Sequence, residues 1–476
     1  MITKKAMWIL WVALTAGLSS YYAYGLVGKD KSMYIPGKTT AGHYQIELAC
    51  EACHSDPFGG KEVLQKACME CHGAELKLVD DSHPKSKFTD PRNADRVAML
   101  DARYCVTCHI EHVEDRTHLM GVTLPDDFCA YCHQDIEEDR PSHKDMAFDT
   151  CAAAGCHNFH DNKALYEDFL VKHGEGEKVT DKPSVISRTF ADQYRKQKKI
   201  SEPLTGKDAE YPATQTIDQQ LLTEWEETAH ARSAVNCVDC HSVKTAANVA
   251  GAWQDKPALE SCQQCHELEM KTYQLGKHGM RLAQDLSPLD TSMVRQPMKR
   301  DIQDTQHDCM SCHGAHNFNT RKAAVDACLG CHEDEHSKAY KDSPHYELWQ
   351  QAMSGSTSME SSVSCATCHM PRLDVKHQGQ RRTLVQHNQN DNLRPNEKMI
   401  REVCLVCHGL GFAIDALADP ALIANNFNGM PKEKIPSIAM AVKREKEKAK
   451  EKAKEKAGEK RDKSRQGSGA TSKEDD

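Results

Sequence analysis

Every cysteine of this chain belongs to one short pattern, two thiols followed at once by an imidazole. Ten pairs read C-x-x-C-H: Cys50/Cys53/His54, Cys68/Cys71/His72, Cys105/Cys108/His109, Cys129/Cys132/His133, Cys237/Cys240/His241, Cys262/Cys265/His266, Cys309/Cys312/His313, Cys328/Cys331/His332, Cys365/Cys368/His369 and Cys404/Cys407/His408. The eleventh is stretched to C-x4-C-H, as Cys151/Cys156/His157. Together they use all 22 Cys, so none remains for a disulfide or a free nucleophile. Zinc sites take four protein ligands and do not require a His after every second Cys. A thiol–disulfide redox pair occurs once or twice in a domain, not eleven times in register. The spacing is that of covalent haem c attachment, with two thioethers to the porphyrin and the adjacent His under the iron as proximal ligand. Eleven covalent haems c are therefore expected, the stretched site with Cys151 and Cys156 included.

Of the 26 His, fifteen are left after the proximal set, enough to give every iron a second imidazole. A His three or four residues beyond the proximal His lies on the same side of its own porphyrin and cannot reach the opposite face. His112, His160, His316 and His336 are placed this way and are expected on neighbouring haems, which implies closely packed haem pairs. His43, in Gly42-His43-Tyr44, precedes the first motif and is expected to cap a haem of the first group; His83, His118, His143 and His173 are the other candidates there. For the last six haems the candidates are His230, His278, His316, His336, His345 and His387, with His307 and His377 read as surplus surface histidines.

The elements that position these residues must be modest. Only 39% of the 476 residues are hydrophobic, and mean hydropathy is −0.68. Such a chain cannot build an ordinary core of its size, so the haems must be the core, and cofactor attachment must supply folding energy. The expected fold is mainly α with much irregular chain, a haem-packed cytochrome with two haem modules and an N-terminal transmembrane or signal helix. No sustained period-two alternation argues for a sheet. The divisions read as 1–28 anchor or signal, 29–173 five-haem module, 174–225 linker, 226–441 six-haem module and 442–476 charged low-complexity tail. In the linker Pro183, Pro203 and Pro212 break any long helix, and Leu221 to Trp225 is expected to open the helix that carries His230. From Lys443 onward 13 basic residues face 9 acidic ones, in Lys-Glu-Lys-Ala repeats suited to a solvated helix or a disordered extension.

Haem attachment of this type takes place outside the cytoplasmic membrane, so the chain must be exported. Lys4 and Lys5 precede 22 uncharged residues, Ala6 to Val27, long enough to span a bilayer. Trp8, Trp11, Tyr21, Tyr22 and Tyr24 stand near the two ends as interfacial anchors. Ala23-Tyr24-Gly25 would also serve as a signal cleavage site. The anchored periplasmic reading is preferred; cleavage would leave a soluble periplasmic or extracellular protein.

From about Trp225 to Phe427 the order of motifs resembles the hydroxylamine oxidoreductase-like octahaem cytochromes, relatives of pentahaem nitrite reductase. The resemblance rests on Cys262-Gln263-Gln264-Cys265-His266 with Tyr273 and Gly276-Lys277-His278-Gly279, then Glu335-His336, Tyr340 and Ser343-Pro344-His345, then Cys365-Ala366-Thr367-Cys368-His369-Met370 and His387-Asn388. The first module looks like c3-type or nanowire-type sequence. Two departures limit what the resemblance implies. There is no C-x-x-C-K motif, and the last Tyr, Tyr346, precedes His408, so no tyrosine follows the final motif to cross-link a catalytic haem.

Two functions follow as expectations. The first is a membrane-anchored undecahaem relay passing electrons from a membrane, quinol-side donor protein to a periplasmic or extracellular acceptor. A net charge of −9 would steer basic partners; nucleic acid is not expected, and self-association is left open. The second is an oxidoreductase of a small nitrogen or sulfur species, such as nitrite or hydroxylamine, at one open haem. The resemblance puts that haem at Cys262/Cys265, with His278 as acid and Arg281 as anion clamp.

Overall fold

The computed structural model describes residues 3–28, 31–56, 59–161, 165–176, 178–180, 202–242, 252–299, 307–393 and 397–468. Residues 181–201 of the expected linker, with Pro183, and residues 469–476 of the tail lie outside the described residues.

The first element is a helix over Lys4–Val27, started by the Thr3 side chain accepting the Ala6 N–H. All of it faces outward, and by length and composition it can cross a membrane. Trp8 and Trp11 meet edge to face at 5.7 Å, and the Tyr34 hydroxyl donates to the Tyr22 carbonyl, tying the helix to the chain that follows.

Beyond this helix the fold is helical in short pieces joined by irregular chain, because the haem motifs recur too often to leave room for long elements. Lys61–Leu78, at 18 residues, and Ser437–Ser468, at 32, are the exceptions. The expected helix through His230 is divided. Gln219–Glu226 ends, and Thr228 then accepts from the Ala231 N–H to cap a fresh turn, Ala229–Arg232, which bears His230. One small sheet stands where none was expected: β1, Arg372–His377, pairs antiparallel with β2, Gln380–Val385. Its two-residue turn is Gln378-Gly379 at φ 49° and 78°, the left-handed pair that closes a tight hairpin. The alternation along each strand is too short to register as a period.

What apolar core exists lies at the end of the chain. Ile400, Leu410 and Ile414 are almost fully buried and pack with Leu165 and Leu170, so the segment after the fifth motif joins the surroundings of the eleventh. Gly155, at φ +82°, lies against the Ile414 side chain with no room for a Cβ. A second cluster brings Val325, just before the ninth motif, against Tyr340 and Trp349, which follow it. The charged tail does not simply extend into solvent. Its helix begins beside the core at Ala441 and packs along Glu167–His173, where Lys448 binds the Glu167 carboxylate at 2.8 Å.

Residues before the fifth motif also touch residues after the sixth. Arg295 donates to the Thr39 carbonyl and to the Glu47 and Glu114 carboxylates, each at 2.8 Å. Arg281 donates to the Gln45 carbonyl at 2.7 Å, Lys277 to that of Ala41, and Lys398 pairs with Glu75. The chain around His43 is therefore held by cations from the second half.

Candidate haem centres

Each motif closes on itself in the same way. The proximal His N–H donates to the carbonyl of the first Cys, at 2.7 Å for His54, 2.9 Å for His109 and His266, and 2.8 Å for His332 and His408. Three motifs of the second half are also opened by capping boxes: Asn236 with Asp239, Asp308 with Ser311, and Ser364 with Thr367.

The stretched motif keeps the closing bond, His157 to Cys151 at 3.0 Å, but differs from the others at Cys156. Cys132, Cys265 and Cys407, each the second thiol of a regular motif, donate their N–H to the carbonyl of the first Cys, at 3.2, 3.2 and 3.1 Å. Cys156 donates instead to the Ala153 carbonyl, at 3.0 Å. The physical reason is the two additional residues, which bulge around left-handed Gly155 and place Cys156 on a turn of its own rather than on the turn begun by Cys151. Both thiols of the pair are half-buried.

Across from ten of the proximal imidazoles stands another histidine. Ring centroids lie 6.0 Å apart for His72 and His43, 6.3 Å for His109 and His160, 6.3 Å for His133 and His83, and 6.1 Å for His157 and His143. In the second half the distances are 5.9 Å for His241 and His316, 6.1 Å for His266 and His230, and 6.4 Å for His313 and His387. They are 6.2 Å for His332 and His278, 6.0 Å for His369 and His336, and 6.2 Å for His408 and His345. Two imidazoles trans to one metal, each nitrogen about 2 Å from it, put their centroids about 6 Å apart. The spacing fits an iron in each gap.

Tautomers agree with that use. Nδ1 faces a backbone carbonyl in His83 (Phe159, 2.5 Å), His336 (Ile423, 2.6 Å), His387 (Val385, 2.8 Å), His241 (Gln254, 2.6 Å) and His408 (Lys178, 2.9 Å). A carbonyl only accepts, so Nδ1 carries the proton and Nε2 keeps its lone pair for a metal. Carboxylates take the same place behind His43 (Glu111, 2.6 Å) and His160 (Asp81, 3.2 Å). Burial holds His230, His345, His369 and His387 down to about 4 and His278 well below its ordinary value, so these rings are neutral at physiological pH. Burial pushes the Glu111 carboxyl up, yet its bonds from His43 and Thr40 hold it down at about 2.

The left-handed backbone at His112 (φ 64°) and His316 (φ 67°) turns each ring away from the haem motif that precedes it. His316 accordingly faces His241 rather than its neighbour His313, His160 faces His109 rather than His157, and His336 faces His369 rather than His332. Among the described residues no imidazole opposes His54 at such a distance. His112 stands with Nδ1 against the Gly37 carbonyl at 2.9 Å and Nε2 uncommitted among the recorded bonds, one residue from Glu111, whose charge acts on the Cys53 thiol of the first motif.

Other expectations change. His118 lies toward solvent beside Asp126, at 3.5 Å, and His173 packs on Phe169; neither faces a proximal ring. The proposed open haem with His278 above Cys262/Cys265 is not what the fold assembles. His230 faces His266, and His278 faces His332. Arg281 is buried with its guanidinium on Ser287 and the Gln45 carbonyl, which leaves it no anion to clamp. His307 is not a surface residue: it stacks on His278 at 4.4 Å, and its Nδ1 and carbonyl lie 3.3 and 3.1 Å from the Tyr273 hydroxyl. His377 ends β1 beside Glu267, at 3.5 Å. Sequence reasoning missed Glu111, Glu75 and Asp81 as partners of the ligating rings; Glu75, three residues after His72 on one helix, was the single local signal.

Thiols show which motifs are neighbours. Cys68 meets Cys105, Cys129 meets Cys151, Cys262 meets Cys309 and Cys328 meets Cys365. Cys240 lies near Cys262, Cys312 near Cys328, and Cys368 near Cys404. The stretched motif joins its neighbour through Cys151, its first thiol, while Cys156 lies beyond the bulge. The six motifs of the second half thus follow one another in space as in sequence. In the first half Phe159 stacks on His83 at 4.2 Å and lies 5.1 Å from His160, bridging the third and fourth motifs.

Residues 42–134, which hold His43 and the first four motifs, match the family model described as cytochrome c3. No curated protein and no solved structure matches the chain.

Proposed function

We propose that this multihaem c-type cytochrome is an undecahaem electron relay, anchored outside the cytoplasmic membrane by Lys4–Val27 and passing electrons from a membrane, quinol-side donor to a periplasmic or extracellular acceptor. The ten opposed imidazole pairs carry the reading. A haem in each gap would supply a one-electron Fe(III)/Fe(II) couple. The chain's own part would be to offer two neutral Nε2 atoms in each of these gaps, to keep water and substrates out of them, and to set successive motifs in contact. With His54 the remaining proximal ligand, His112 is its proposed partner. The bulged pair Cys151/Cys156 is proposed to hold a haem like the others, on the strength of His143 opposite His157. The cytochrome c3 match over the first four motifs supports electron transfer as the task of that region. The motif order that resembles the octahaem oxidoreductases then describes a shared haem scaffold, and His230 opposite His266 favours relay over catalysis there.

Mass spectrometry of the purified chain should show eleven haems, one of them on Cys151/Cys156, and the ferric spectrum should be wholly low-spin. A high-spin haem in the wild type would overturn the relay as stated. H230A should create one high-spin haem at Cys262/Cys265 and leave the haem count unchanged. Full-length protein should stay with the membrane fraction through a salt wash; release, or a mature N-terminus near Leu26, would remove the anchor from the proposal.

A further inference from the structure

We infer that Glu111, which accepts from His43, makes the haem of Cys68/Cys71 the most reducing of the array, with the Glu75 carboxylate adding its charge 3.8 Å from His72 on the other side. The inference rests on the relay reading and adds an energy step to it.

Glu111 accepts from His43 Nδ1 at 2.6 Å, and also from the Thr40 N–H at 2.7 Å and the Thr40 hydroxyl at 2.9 Å. On the other side of the same gap, Glu75 Oε2 lies 3.8 Å from Nδ1 of His72, one helical turn earlier. Among the described residues this is the single gap with a carboxylate behind both imidazoles. Asp81 stands behind one ring of the Cys105/Cys108 site, and Glu269 and Asp334 approach His266 and His332 at 3.9 and 3.7 Å. The others with a recorded Nδ1 partner use backbone carbonyls, or Ser142 in the case of His143.

A carboxylate that takes the Nδ1–H bond draws the proton toward itself and leaves Nε2 richer in electrons. A more basic axial ligand favours Fe(III), so that haem is harder to reduce. The position matters because Cys68 touches Cys105 and Cys53 lies near Cys71, so this haem stands between the first and third motifs, one step from the end that carries the apolar helix. Both neighbours then lie downhill of this haem, so an electron entering at the first motif must climb to it before running on to the third, and an electron already beyond it meets the same climb on the way back.

The test is a potentiometric titration of the full-length protein, followed optically and by low-temperature EPR. E111Q should raise the lowest midpoint so that reduction at a fixed potential becomes about tenfold more favourable, about 59 mV for a one-electron couple. It should also move the low-spin EPR signal of this haem and leave the waves beyond the first two motifs in place. E114Q, whose carboxylate binds Arg295 and no ligand, is the control and should change nothing. An unmoved lowest wave in E111Q with the haem still bound and low-spin, or an equal shift in E114Q, overturns the inference. Should E111Q lose the haem, E75Q decides: a smaller rise of the same wave supports the assignment, and none refutes it. A wild type with no haem on Cys68/Cys71 would instead defeat the relay reading itself.

Discussion

In the second half of the chain Asn236, Asp308 and Ser364 open their haem motifs with reciprocal side-chain caps, while in the first half Ala49 and Tyr104 stand in the same position and offer no side-chain bond. The contrast extends to packing. The second half has a hairpin, the cluster around Val325 and Tyr340, and most of the core around Ile400 and Ile414. Among the described residues before the fifth motif, the buried apolar ones are Ala49 and Ala67. In the first half carboxylates stand behind two of the paired rings, Glu111 at His43 and Asp81 at His160, where in the second half His336 and His387 use backbone carbonyls and His230 and His345 are held by burial. One ligand problem is thus met in two ways: local caps and apolar contact in one half, charge and haem in the other. The first half must depend more on its cofactors.

The largest effect should come from withholding haem. Chain produced without haem attachment should lose its structure from about residue 40 to 160 first, read by limited proteolysis, with the hairpin and the Ile400–Ile414 region cut last; early loss of the hairpin region would erase the distinction. Next, I414A removes a side chain that is 1% exposed and joins the two halves. It should cost about 2–5 kcal/mol, and I46A, in the thinly packed half, about 1 kcal/mol, both by denaturant titration of the holoprotein. Equal costs would mean that the first half has a core of its own. G155A places a side chain at φ +82° against Ile414 and should cost about 1–3 kcal/mol. It should also lower haem occupancy at Cys151/Cys156 by mass, because the bulge that sets Cys156 turns at this residue. The smallest effect belongs to the tail: K448A removes a partly exposed ion pair with Glu167 and should cost about 0.5 kcal/mol, less in high salt.

The linear chain determined the chemistry and much of the class. Thiols and imidazole two or four residues apart must share one short segment, so the haem-attachment motifs and a mainly helical, loop-rich fold are properties of local spacing. The same is true of the helix over Lys4–Val27, which needs only length and apolarity. That His112, His160, His316 and His336 cannot serve their own haems was also local geometry. Which motif each histidine faces instead was a matter for the tertiary structure, because a ring such as His278 can be aimed at Cys262/Cys265 or at Cys328/Cys331 by a change of path that leaves no trace in the neighbouring residues. The break at Thr228, the separate turn at Cys156, the hairpin turn at Gln378-Gly379 and the burial of His307 and Arg281 were hidden for a related reason. Each depends on partners tens to hundreds of residues away, or on a signal only two residues long. Glu111 is the clearest case. Its charge is visible in the sequence, but its place behind His43, 68 positions earlier, exists only once Thr40, Arg295 and the second half have drawn that segment into position.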